Sequence, residues 1–274
     1  TAANQFQITG GTSGFSGQGA QSATFGNSGT ELVWGSTYFS PDVLVLQAVT
    51  ANINGKGTFN WKFDLNGATR TIAAYKPITD LAGYAKLTSA IRTSSGTAGL
   101  VKIGPGQVIL SASNTYNGGT AINGGMITVE NAYSLGSGPV YITNATLRLT
   151  ASLNISNLQG HAGAVIDLGD ATRLLTVGQG DDTTFSGIIT NAGGLVKNGS
   201  GMLTLSNTST YTGTTTIKAG TLALGANGTL NTDNNVVLSG GTLGMGKFTN
   251  SAGTLTVMGN STIELGDGSS SLSF

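Results

Sequence analysis

GLVKNGSGMLTLSNTSTYTGTTTIKAGTLAL, residues 194–224, repeats a phrase already present at 99–129, GLVKIGPGQVILSASNTYNGGTAINGGMITV. The two stretches align without a gap, and 14 of 31 positions are identical. The shared letters include Gly-Leu-Val-Lys at 99–102 and 194–197, Leu110/Leu205, Ser111/Ser206, Thr115-Tyr116/Thr210-Tyr211, Gly118/Gly213, Thr120/Thr215, Ile122/Ile217 and Gly125/Gly220. A second phrase also recurs. Asp64-Leu65-Asn66-Gly67-Ala68-Thr69-Arg70 resembles Asp167-Leu168-Gly169-Asp170-Ala171-Thr172-Arg173, and it returns as Glu264-Leu265-Gly266-Asp267-Gly268-Ser269-Ser270. Self-similarity at a fixed spacing is the mark of a repeat architecture.

A finer period lies inside the larger one. Val108-Ile109-Leu110 is echoed by Ile127-Thr128-Val129, and Leu203-Thr204-Leu205 by Leu222-Ala223-Leu224, at an offset of 19 in both cases. Between them lie pieces such as Thr120-Ala121-Ile122 and Thr215-Thr216-Ile217, bounded by Gly or Asn. Short alternation bounded by turn residues predicts β-strands, and no stretch carries helical periodicity with caps. Many short strands at a near-constant period predict a coil whose turns stack in parallel, with each apolar side chain over its equivalent in the next turn. At about 19 residues per turn the chain would make roughly fourteen turns. Leu110 and Leu205 are expected to point inward. Asn114, Asn117 and Asn123 fall at predicted corners, where stacked Asn side chains could bond to one another.

Composition narrows the function. Charged residues are 9% of the 274, glycines number 44, and the formal net charge is zero. No basic surplus exists to hold nucleic acid or an anionic membrane. Without cysteine there are neither disulfides nor thiolate metal sites. No apolar run approaches the ~20 residues of a spanning helix, so the chain is not expected to cross a membrane as a helix. Thr1 in place of an initiator Met reads as a processed or excerpted chain.

The phrase Gly-Leu-Val-Lys-x-Gly-x-Gly-x-x-x-Leu-Ser…Thr-Tyr-x-Gly-x-Thr-x-Ile-x-x-Gly resembles the autotransporter-associated β-strand repeat, also called the passenger-associated transport repeat. The resemblance implies a right-handed parallel β-helix (β-solenoid), exported and displayed on the bacterial cell surface, with a role in secretion, stalk building or adhesion. The two copies depart from each other at Pro105/Ser200 and Gly119/Thr214, neither of which breaks the strand pattern. The family carries no catalytic motif, and no catalytic, cofactor-binding or metal residue is assigned. The organisation expected is a β-rich segment over 1–98, one repeat unit over 99–193 and a second, truncated one over 194–274.

The residues that could carry chemistry each have a plainer reading. His161 is the one histidine, set in a turn without a Gly-x-Ser-x-Gly elbow. Asp167/Asp170, Asp181/Asp182 and Glu264/Asp267 could serve a β-helical polysaccharide-degrading enzyme or bind calcium, but beside Gly and Thr they read as Asx turns. Lys102 and Lys197, at one repeat position, read as solubilising or edge-protecting charges. Trp34, Trp61 and Tyr38 could form a glycan platform, or fill the core. Asn-x-Ser/Thr triplets such as Asn154-Ile155-Ser156 follow from composition. The partners expected are copies of the chain, or further repeats, joined end to end, and host or environmental glycans. Ser271-Leu272-Ser273-Phe274 still alternates like a strand, without charge or proline, which motivates the end-to-end expectation.

Overall fold

The computed structural model describes residues 7–15, 20–23, 31–47, 56–75 and 83–274. Every regular element among them is a short β-strand, and every strand pairing is parallel. The chain forms two compact units, Thr1–Gly138 and Pro139–Phe274. Each is a β-solenoid, in which successive strands of one ladder come from successive coils.

In the first unit one ladder runs Thr12–Gly14, Val43–Gln47, Arg70–Ala74, Leu100–Ile103, Thr120–Ile122. A second runs Ala20–Ala23, Lys56–Phe59, Tyr84–Leu87, Gln107–Leu110, Gly125–Val129. A third joins Glu31–Val33, Lys62–Asp64 and Ile91–Arg92. In the second unit the longest ladder climbs from Val140–Ile142 through Leu158–Gly160, Thr183–Phe185, Met202–Leu205, Thr221–Leu224 and Thr242–Gly244 to Thr262–Glu264. Another runs Leu153–Ile155, Leu174–Val177, Gly194–Lys197, Thr215–Ile217, Val236–Leu238, Leu255–Val257.

The alternation read in the sequence sets the two faces of each strand. Leu100 and Ile122 point inward while Val101 and Ala121 between them do not. Leu110 stacks in the inward column Phe59–Leu87–Leu110–Val129, and Leu205 in Phe185–Leu205–Leu224, all nearly inaccessible to solvent. Inward stacking of like residues removes apolar surface from water at every rung, which is the main favourable term for such a coil. Backbone groups of each rung are met by the next, and with no cysteine in the chain no disulfide contributes.

The expected period of 19 is only partly right. Val108 pairs with Ile127 at that spacing, as does Leu203 with Leu222. In the early coils, however, Leu32 pairs with Phe63, Phe63 with Ile91, and Arg70 with Leu100, at offsets of 31, 28 and 30. Fourteen coils therefore do not fit. The longer coils hold a cluster of aromatic rings beside stacked aliphatics such as Leu44 and Ile72. Trp61 lies edge-on to Phe59 at 4.9 Å and to Phe63 at 5.8 Å, and Trp34 edge-on to Phe39 at 5.2 Å. Both tryptophans are 1% exposed, and the Trp34 indole N–H donates to the Pro41 carbonyl at 2.8 Å. They form core, not a glycan platform; Tyr38 alone of that group is exposed.

The corner asparagines reach the backbone of adjoining coils rather than one another. Asn114 Oδ1 accepts the Ile91 N–H at 2.7 Å and its Nδ2 donates to the Ser134 carbonyl at 2.5 Å. Asn117 Oδ1 accepts the Ala98 N–H at 3.1 Å. Asn123 meets the preceding coil through its own N–H, on the Lys102 carbonyl. The backbone offers an unpaired group at each corner, and an amide that satisfies it gains more than one stacked on another amide.

Candidate functional site

Lys102 and Lys197 are fully buried, which overturns their reading as surface charges. The parity of the strand explains it. In Leu100–Ile103 and Gly194–Lys197 the lysine lies two residues after an inward leucine, Leu100 or Leu195, and so faces the same way. Lys102 occupies the inward column Leu44–Ile72–Lys102–Ile122, and Lys197 the column Ile155–Val177–Lys197–Ile217–Leu238. Each stem packs between aliphatic neighbours while the ammonium reaches out to a corner.

At the corner the charge is met by backbone carbonyls. Lys102 Nζ donates to Gly104, Gly106 and Gly124 at 2.6, 2.5 and 2.7 Å. Lys197 Nζ donates to Asn198, Gly199 and Ala219 at 3.0, 2.8 and 3.0 Å. Two acceptors in each set are local, while Gly124 and Ala219 belong to the following coil. Three carbonyls match the three N–H bonds of an ammonium. Burial pushes Lys102 down to about 7 and Lys197 to about 8. The Asp182 charge opposes the shift at Lys197, and the accepting carbonyls act in the same sense at both.

Glycine completes the corner. Gly125 and Gly220 have φ of 62° each, in the left-handed region. A Cβ at Gly125 would lie 2.5 Å from Lys102 Nζ and 2.6 Å from the Gly104 carbonyl; one at Gly220 would lie 2.8 Å from Lys197 Nζ. The recurring Lys, Gly-x-Gly and final Gly of the repeat are thus parts of one arrangement. The signal for it in the sequence is the parity of the lysine with the leucine before it.

A second buried polar pair also recurs. Tyr116 Oη and Thr120 Oγ1 are 2.6 Å apart, as are Tyr211 Oη and Thr215 Oγ1. Burial pushes the Tyr116 hydroxyl above its ordinary range and Tyr211 up to about 12, so both stay neutral hydrogen-bonding groups.

The acids and the histidine take other places. Asp167 Oδ1 accepts the Gly169 N–H at 2.9 Å, and its Oδ2 faces Arg148 Nε at 3.1 Å. Asp170 accepts the Thr172 N–H at 2.9 Å, and hydrogen bonds from Thr172 hold its carboxyl below the usual range. Asp181 accepts Asn157 Nδ2 at 2.6 Å, Asp182 the Met202 N–H at 2.7 Å, and Asp267 the Ser269 hydroxyl at 2.7 Å. Asp167, Asp170 and Asp267 close turns on the residue two positions on, as the Asx reading expected, whereas Asp181 and Asp182 instead accept from Asn157 and Met202 of adjoining coils. Glu264 is exposed. Among the described residues no three His, Cys, Asp or Glu side chains converge as a metal cluster would. Exposed His161 contacts the Tyr141 hydroxyl through Nε2, with the rings edge-on at 5.4 Å. No helix is long and apolar enough to cross a membrane among these residues.

The passenger-associated-transport-repeat model matches residues 100–129 and 195–224, the two segments that hold the lysine corners. An adhesin autotransporter, BmaC of Brucella suis biovar 1 (strain 1330), is 31% identical over 259 residues, covering 87% of this chain. The chain spans 7% of that relative's length. No solved structure matches the chain.

Proposed function

We propose that this chain, whose residues 100–129 and 195–224 match the passenger-associated transport repeat, is a non-enzymatic passenger segment, exported and displayed on a bacterial cell surface, where it serves adhesion. The observation that carries this reading is the 31% identity, along 87% of the chain, to a segment of an autotransporter adhesin. The parallel ladders support it. A coil whose backbone groups are met rung by rung presents outward strand positions to the surroundings and, having no cysteine, is not held by disulfides. Asp167, Asp170 and Asp182 are engaged in turn and inter-coil contacts, which supports the non-enzymatic reading. Head-to-tail assembly with further repeats or copies is the finer part of the proposal, supported by the one-directional stacking of parallel rungs.

The test is retention. Beads coated with the chain, and beads coated with a chain unfolded and blocked, are washed over eukaryotic cell layers and glycan arrays. Retention of the folded chain alone is expected, and equal retention of both would sink the adhesive reading. Incubation with acidic and neutral polysaccharides is expected to release no new reducing ends or unsaturated sugars. Turnover lost on Asp167→Asn or Asp182→Asn would favour a polysaccharide-degrading enzyme. Sedimentation over a range of concentrations addresses assembly; a monomer throughout would remove the fibre.

A further inference from the structure

We infer that Lys102 and Lys197 set the register in which successive coils stack. Without them the register would be weakly specified. The inward columns are Leu44–Ile72 and Ile122 around Lys102, and Ile155–Val177 and Ile217–Leu238 around Lys197. One branched aliphatic packs nearly as well on another. A slip of two residues keeps every side chain on its own face, so hydrophobic burial alone discriminates poorly against it.

A lysine in such a column changes the comparison. In register, its ammonium meets one carbonyl of the following coil, Gly124 or Ala219, besides two local ones. With the amine protonated, a slip removes that third acceptor and leaves one buried N–H of a charged group unmet, which is expensive. It also moves Gly125 or Gly220 away from the ammonium. A slip of two residues would bring Lys218 or Leu222 to the place of Gly220, where a Cβ stands 2.8 Å from Lys197 Nζ. The lysine and the glycine thus reject the slipped pairing from both sides. One buried lysine in each inward column, among aliphatic neighbours, acts as a single inward polar residue does when it fixes register in other stacked architectures.

The absence of cysteine makes a disulfide test clean. Val196 and Thr216 are register partners of opposite strand parity to Lys197, with Val196 itself buried. Neighbouring Cα atoms across a ladder are about 4.8 Å apart, within disulfide reach; a partner two residues off lies at roughly 8 Å, beyond it. In the parent chain, Val196→Cys with Thr216→Cys is expected to close at least roughly tenfold faster than Val196→Cys with Thr214→Cys. In the Lys197→Met background the two rates are expected to fall within about threefold of each other, with an unchanged or higher urea midpoint. An offset pair as slow in the Met background as in the parent overturns the inference. So does a Met variant that fails to fold, because the aliphatic column should accept it. The same comparison at Lys102→Met, with Val101→Cys and Ala121→Cys against Val101→Cys and Asn123→Cys, is an independent trial.

Discussion

Lys197 and Gly220 share one corner: the ammonium occupies the space that any side chain at Gly220 would need, a Cβ there standing 2.8 Å from Nζ. Gly125 stands in the same relation to Lys102. Both glycines hold φ of 62°, so an L-residue there meets backbone strain and a collision together. Gly220→Ala is expected to cost about 1–3 kcal/mol, and Gly125→Ala the same. Urea unfolding followed by far-UV circular dichroism measures it. A change at both no larger than that of an ordinary surface substitution, below ~0.5 kcal/mol, would show that the corner relaxes freely.

Stability should rise with pH above neutrality. The Lys102 amine is pushed down to about 7 when folded, against 10.5 ordinarily. Between those values the unfolded chain holds more protons, and the folded state gains as they are removed. The expected rise between pH 7 and pH 10 is on the order of 1–3 kcal/mol. Lys102→Met should flatten Lys102's share of that slope. A parent chain whose stability falls across the interval would mean that the carbonyls outweigh burial.

Leu110 and Leu205 each stack between two inward neighbours. Leu→Ala at either should cost about 2–5 kcal/mol, from lost burial and an unfilled cavity. Equal denaturant midpoints for mutant and parent would refute the inward stacking.

Asn114 answers two backbone groups at once, the Ile91 N–H and the Ser134 carbonyl. Asn114→Ala should cost about 2–4 kcal/mol, because both groups lose a partner inside the coil. Asn117→Ala, at a more exposed corner, should cost less. Hydrogen exchange at the Ile91 amide reads the effect directly; unchanged protection there would argue against the bond.

Trp34 and Trp61 variants should unfold the first unit rather than alter a ligand site, since both rings are buried among Phe39, Phe59 and Phe63. Trp61→Ala is expected to lose about 3–5 kcal/mol. Tyr38→Ala, at an exposed position, should stay within ~0.5 kcal/mol of the parent. A fully stable Trp61→Ala chain would remove the ring from the core.

Much of this is legible in the sequence where the physics is local. Leu110, Leu205 and the strands around them follow from alternation bounded by Gly and Asn. Asp170 and Asp267 follow from the habit of short carboxylates to close turns. The lysines mislead when charge is weighed before parity: Leu100 and Lys102 are two positions apart, so they face the same side. The early coils mislead for a different reason. Their length depends on how far the chain runs between rungs, as from Phe63 to Ile91, and no local rule fixes that when the connecting residues lack a repeat.

The coil around Gly160 and Phe185 has a practical consequence. These two are ladder partners at an offset of 25, yet the next rung, Thr183 to Leu203, returns to an offset of 20. The additional residues are carried by the corners, and the strand that follows resumes its place as though nothing had been added. A corner such as 180–182, exposed and joined to Asn157 by side-chain contacts, is therefore a natural graft point. An epitope, an enzyme tag or a receptor-binding loop spliced there would ride on the outside of a coil that neither lengthens nor twists to accommodate it. Lineages of such proteins could diversify what they present by editing corners alone, while the stacked interior is inherited untouched.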